Sequence, residues 1–273
     1  MSDSLVSLVL RELGHLVSYH LTLSDCALSL IRVNRQCCVV ARERIAELWP
    51  HVQALLHAPF DLSAADLLTA TSFELKVWRG MAIETFCTAI AHGALTNLTS
   101  LWMGSNQLGA SGMHDFSAAV VNGALANLTG LDLSSNLLGD EGVRSLAAAI
   151  SRGALPELTE LDLGTNNVGD AGMCSLADAI AGNATLANME LLLLGSNKIG
   201  DEGIAAFSTA IAKGALANLT GLWLCDNQIG RDGIESFSAA LAGGALTKLS
   251  VLSIDSRSPR LMNMCSSRSI CIE

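Results

Sequence analysis

No two cysteines in this 273-residue chain are separated by two residues, the C-x-x-C pair of a zinc knuckle or a redox motif. Cys26, Cys37, Cys38, Cys87, Cys174, Cys225, Cys265 and Cys271 also keep no regular spacing, so no disulfide framework is written into the sequence. Reduced thiols in a cytoplasmic or nuclear protein are the expectation. The first residues lack the basic start and unbroken apolar stretch of a signal peptide. No apolar run reaches the about 18 residues that a membrane span needs. An excess of positive charge is missing as well. The formal net charge is −10, which repels a phosphate backbone on average, so nucleic acid is not an expected partner. Aromatic residues are 4% of the chain although half is hydrophobic, a mixture suited to close packing repeated many times.

What the chain has is a repeat. LTSLWMGSNQLG (98–109) returns as LTGLDLSSNLLG (128–139), LTELDLGTNNVG (158–169), MELLLLGSNKIG (189–200) and LTGLWLCDNQIG (219–230). Asn106, Asn136, Asn166, Asn197 and Asn227 mark the register at steps of 30, 30, 31 and 30. Each tract reads as a short strand in which residues such as Leu101 and Met103 point inward while 100, 102 and 104 face out. An aliphatic residue after the Asn (Leu108, Leu138, Val168, Ile199, Ile229) returns to the core, and a Gly follows it.

The second half of each unit is helical by its spacing. Met113, Phe116 and Val120 lie on one face, and Val143/Leu146/Ile150, Met173/Leu176/Ile180, Ile204/Phe207/Ile211 and Ile234/Phe237/Leu241 repeat it. Asp140, Asp170 and Asp201 are expected N-caps. Gly93, Gly123, Gly153, Gly214 and Gly244 are expected to end the helices. One strand and one helix per unit predict an α/β solenoid, a curved parallel sheet inside and helices outside.

Over residues 81–255 these tracts resemble the leucine-rich repeats of the ribonuclease-inhibitor type, the class of ribonuclease inhibitor, the Ran GTPase-activating protein and the NOD-like receptor arrays. The resemblance implies that the register Asn hydrogen-bonds the backbone of neighbouring turns. For function it implies a non-catalytic scaffold that binds another protein without a cofactor, with GTPase activation of the Ran-regulator kind as an alternative.

The expected division is a helical region over 1–60, a degenerate repeat acting as a cap over 61–92, repeats over 93–255 and a disordered tail over 256–273, where Arg257 replaces the register Asn. Within the first region, Glu12–Leu13, Val17, Tyr19, Leu21, Asp25, Leu30, Val33, Arg35 and Leu48–Trp49 resemble an F-box, which implies that residues 8–49 dock onto a ubiquitin-ligase adaptor. A simple helical cap on the solenoid is the other reading.

Outward strand positions are the candidate binding face. One column reads Trp102, Asp132, Asp162, Leu193, Trp223, Ser253, and the one before it Ser100, Gly130, Glu160, Leu191, Gly221, Val251. Trp102, Asp132, Glu160, Asp162, Leu191, Leu193 and Trp223 are therefore the expected partner contacts. Scaffold chemistry does not demand Trp there, and Trp is over-represented among residues that dominate interfaces. The alternative is that the indoles merely cover neighbouring strand residues.

Catalytic chemistry is not expected. Gly195–Gly200 imitates a phosphate loop, but Asp201 stands where Lys is required. Asp132 and Asp162 form a carboxylate pair on an open surface, where no desolvation is foreseen to separate their roles. The six His residues are scattered and assemble no triad. The Asn-Leu-Thr sequons at 97, 127 and 218 fall at strand starts and belong to the repeat.

Overall fold

The computed structural model describes residues 71–74, 83–91, 95–182, 186–255 and 258–272. The F-box-like stretch 8–49, and all of residues 1–60, lie outside them. Strands and helices alternate: β1 (Ser72–Glu74), α1 (Ile83–Ala91), β2 (Ser100–Trp102), α2 (Gly109–Val121), β3 (Gly130–Asp132), α3 (Gly139–Ser151), β4 (Glu160–Asp162), α4 (Asp170–Gly182), β5 (Leu191–Leu193), α5 (Asp201–Ala212), β6 (Gly221–Trp223), α6 (Arg231–Ala242), β7 (Val251–Ser253), α7 (Pro259–Ser267) and β8 (Cys271–Ile272). The eight strands form one sheet in chain order, every pair parallel. Leu101, Leu131, Leu161, Leu192, Leu222 and Leu252 stand in register as consecutive rungs. Strands sit about 4.8 Å apart whereas packed helices need about 8–10 Å, so the sheet takes the inside of the bend. The molecule is the solenoid that the periodicity predicts.

The core is a continuous band between sheet and helices. Leu98, Leu101, Met103, Met113 and Phe116 are fully buried, and their equivalents repeat them down to Leu252. The Phe207 and Phe237 rings of α5 and α6 stack with centroids 6.5 Å apart. The register asparagines close the strand-to-helix turns. The Asn166 Oδ1 accepts the N–H groups of Asn136 (2.9 Å) and Leu138 (3.4 Å), while its Nδ2 donates to the carbonyls of Leu133, Leu163 and Gly164. Asn136, Asn197 and Asn227 span their own junctions in the same way. Each amide thus pairs backbone groups that burial would otherwise leave unsatisfied. A second ladder lies at the strand entrances, where the Thr129 and Thr159 hydroxyls donate to the Thr99 and Thr129 carbonyls and the Asn127 amide donates to the Thr96 carbonyl. The sequon residues Asn127 and Thr129 are part of that framework.

Two expectations need correction. Asp140, Asp170 and Asp201 do not cap their own helices; each caps the next one. The Asp140 Oδ1 accepts the Gly169 and Gly172 N–H groups at 2.7 and 3.0 Å, Asp170 those of Gly200 and Gly203 at 2.7 and 2.8 Å, and Asp201 those of Gly230 and Gly233 at 2.7 and 2.9 Å. The following helix docks so closely that its starting N–H groups meet the carboxylate of the preceding one. The C-terminal residues 258–272 are also not a disordered tail. Pro259 occupies the first turn of α7, which its fixed φ favours. Leu261, Cys265 and Ile270 are buried. Arg268 donates to the carbonyls of Leu241 (3.2 Å), Ala245 (2.8 Å) and Leu246 at the end of α6, and β8 covers the edge of β7. The helix ends behave as expected: Gly123, Gly153, Gly214 and Gly244 all have φ between 87° and 95°.

Candidate protein-binding face

The strand register puts the predicted outward residues in one line. Trp102 pairs with Asp132, Asp132 with Asp162, Asp162 with Leu193, Leu193 with Trp223, and Trp223 with Ser253. All but Ser253 are partly exposed; Ser253 is buried, so this line of exposed side chains ends at β6. Beside this line Ser100, Glu160, Leu191 and Val251 are partly exposed, while Gly130 and Gly221 are buried. Four strand steps separate Trp102 from Trp223, roughly 20 Å along the sheet.

The two indoles differ. A side chain built at Gly221 would meet the six-membered ring of Trp223 at 2.5 Å and the Leu191 Cδ2 at 2.8 Å. The ring therefore lies back over Gly221 beside Leu191, and only glycine leaves room for it. Trp223 is a fixed part of an apolar shelf with Leu191. Above Gly130 the nearest atom is the Ser100 Oγ at 3.7 Å, so Trp102 has no such seat there. A Gly two residues before an outward Trp was the signal in the sequence, and the alternation pattern alone does not single it out.

Between the indoles lie the carboxylates. The Asp132 Oδ1 accepts the Ser134 N–H, and the Asp162 Oδ1 the Gly164 N–H, each at 2.8 Å. Both aspartates thus brace the turn that follows their strand, a role that the Asp-x-Ser and Asp-x-Gly spacing signals. Burial pushes the Asp162 carboxyl above its usual range; the Gly164 N–H opposes this, and the nearby Asp132 and Glu160 add to the rise. Asp162 is thus less open to water than the alternation alone suggests, though still partly exposed. Among the described residues no cluster of His, Cys, Asp and Glu could hold a metal ion. Burial, then Asp115, pushes the buried Cys87 thiol up to about 12, and desolvation likewise raises the buried Cys265 and the half-buried Cys174. No helix among the described residues is long and apolar enough to cross a membrane.

A family model described as Leucine Rich repeat matches residues 124–147, 155–177 and 186–208. These are three successive stretches of the array, from the turn before each of β3, β4 and β5 into the helix after it. Among solved structures the chain is similar to an internalin from Listeria monocytogenes, at 23% identity over 68% of this chain and 49% of that one, with a TM-score of 0.42. It is also similar to a chain of the TLR13–ssRNA13 complex, at 17% identity over 71% and 37% of the two chains, with a TM-score of 0.28. The chain spans about half the length of the internalin that it matches. No curated protein matches it.

Proposed function

We propose that this chain, a leucine-rich-repeat protein, acts as a non-catalytic scaffold that holds a partner protein on the inner face of its sheet. The observation that carries this reading is the unbroken line Trp102–Asp132–Asp162–Leu193–Trp223, partly exposed and in register across five strands. The fold explains every inward residue of those strands by packing. It does not explain the outward Trp102, Glu160 and Leu193, beside which Asp132 and Asp162 brace their turns and Trp223 lies over Gly221. Aromatic anchors beside charged groups are what a protein interface needs for affinity and for discrimination. The 30-residue period with a full helix in each unit further supports placing the array in the ribonuclease-inhibitor subclass.

The test compares Trp102→Ala with Arg144→Ala, a change on the outer face where Arg144 only pairs with Glu141 at 2.7 Å. Both proteins are expected to keep the wild-type melting temperature within about 2–4 °C. Proteins captured from a cell extract by the wild type and by the Arg144 variant are expected to be lost with the Trp102 variant. Equal capture by all three would remove the inner face as the binding surface.

A further inference from the structure

Resting on the inner-face reading, we infer that the occupant is a peptide segment of a partner protein that places one Lys or Arg among Asp132, Glu160 and Asp162 and a bulky apolar side chain on the Leu191–Leu193–Trp223 shelf. The two halves of the face carry opposite requirements. On β3 and β4 three carboxylates crowd together, and Asp162 already feels both the loss of water and its two neighbours. The described cations are engaged or lie elsewhere. Arg144 pairs with Glu141, Arg260 with Glu235, Lys248 donates to Asn218, Arg268 caps α6, Arg152 and Lys213 follow the ends of α3 and α5, Arg231 begins α6, and Lys198 stands in the turn after β5. A ligand cation would relieve the repulsion and gain charge-assisted hydrogen bonds. On β5 and β6 the surface changes to Leu191, Leu193 and the indole that lies on Gly221. That shelf is already assembled, so covering it costs little ordering of side chains.

The distance between the halves sets the spacing of the ligand. Their centres are two strands apart, about 10 Å. A helix lying across the strands spans that distance in about seven residues, and a polyproline-like segment in about three. The chain's net charge of −10 adds long-range attraction for a basic segment and repels an acidic one. The direction is fixed too: the basic residue sits toward the N-terminal repeats and the apolar one toward the C-terminal repeats.

The experiment selects displayed random 16-residue peptides against the full chain and measures the synthesised winners against Glu160→Gln/Asp162→Asn and Leu193→Ala proteins, each checked for wild-type helix content. The expected winners carry Lys or Arg at a constant separation from a bulky apolar residue. They lose tenfold or more in affinity with either variant, and they weaken several-fold between 50 and 300 mM salt, as salt screens the pairing of exposed charges. Winners that depend on Leu193 but not on the carboxylates overturn this inference and leave the inner-face reading standing. Winners indifferent to both variants overturn both, and a selection that yields no binder, or only acidic ones, overturns the inference. A change in the chain's own molecular mass on dilution, with affinity tied to the same residues, would name a second copy as the occupant and overturn it equally.

Discussion

The inner helix junctions of the array and the outer ones solve the same turn in two different ways. From α3 to α4, α4 to α5 and α5 to α6, an Asp of the earlier helix takes two N–H groups of the next. The glycine ahead of the helix is then extended, as at Gly200 (φ −106°) and Gly230 (φ −88°). From α2 to α3 the equivalent residue is Ala110. With no carboxylate to reach, Gly139 turns into the left-handed region at φ 58° and the Gly142 N–H bonds the Leu138 carbonyl of its own turn at 3.1 Å. At the far end, from α6 to α7, the position is Arg231. There the repeat shortens, and a cavity of about 540 Å³ opens among Ile229, Arg231, Ile234, Ser258 and Arg260. One side-chain choice per repeat therefore decides whether neighbouring helices are tied together through the backbone or only packed.

The difference should appear first in the asparagine ladder, whose effect depends on depth within the array. Asn166 is fully buried and serves five backbone groups. Asn166→Ala is expected to cost about 3–5 kcal/mol, since buried groups left without partners cost about 1–3 kcal/mol each before relaxation. Asn227 is partly exposed at the last regular turn, so water can replace much of what it supplies. Asn227→Ala is expected to cost about 1–2 kcal/mol. Urea unfolding of the two variants gives the ratio, and equal losses would mean that depth does not matter.

Next in size is a pair of glycine substitutions of opposite sign. A Cβ at Gly203 would lie 2.7 Å from the Asp170 Oδ1, 3.0 Å from the Met173 Cβ and 3.2 Å from the Asp170 Cα. Two of these atoms are backbone or next to it and cannot swing away. Gly203→Ala should therefore break the tie to α4 at a cost of about 1–3 kcal/mol. At Gly112, where no Asp tie exists, the nearest atoms are 3.4 Å away, ordinary contact. Gly112→Ala should stabilise by up to about 1 kcal/mol, the difference in helix propensity. Thermal melts read both signs.

The Asp tie alone is smaller again. Asp170→Ala is expected to cost about 1–2 kcal/mol, the upper range for a lost helix cap. Amide exchange at Gly200 and Gly203 should speed up while Gly169 and Gly172, capped by Asp140, keep their protection. Faster exchange at all four would show that the junctions do not open separately.

The repeat, the strand register and the inward face were legible in the sequence because each rests on a short-range rule applied five times. The direction of the Asp contact was not, because an Asp at a helix start looks the same whether it serves its own helix or the next. Only the inter-helix distance decides. The α7 cap was missed because the register Asn gives way to Arg257 and the strand-to-helix spacing contracts. The Ser258–Pro259 start and the spacing of Leu261 with Cys265 were present and went unused. Of the binding face, the residues and their order came from alternation alone. The seating of Trp223 on Gly221 and the desolvation of Asp162 depend on how neighbouring strands fill space, which a single strand's pattern does not hold.

The finest test exchanges one junction type for the other. If the carboxylate sets the turn, Ala110→Asp should convert the α2–α3 junction, drawing the Gly139 and Gly142 N–H groups onto the new side chain and stabilising the chain by about 0.5–1 kcal/mol. The converted Gly139 would leave the left-handed region. In the natural chain Gly139→Ala places a Cβ at φ 58°, which costs an L-residue about 1–2 kcal/mol. In the Ala110→Asp background the positive-φ penalty should fall, leaving only the contact of the new Cβ with the carboxylate, which is 3.4 Å at Gly169 and tighter, 3.0 and 2.8 Å, at Gly200 and Gly230. The double-mutant cycle therefore predicts a coupling of about 1 kcal/mol between positions 110 and 139. Additive changes would mean that the turn at Gly139 is set by the packing of Leu138 and not by the missing aspartate.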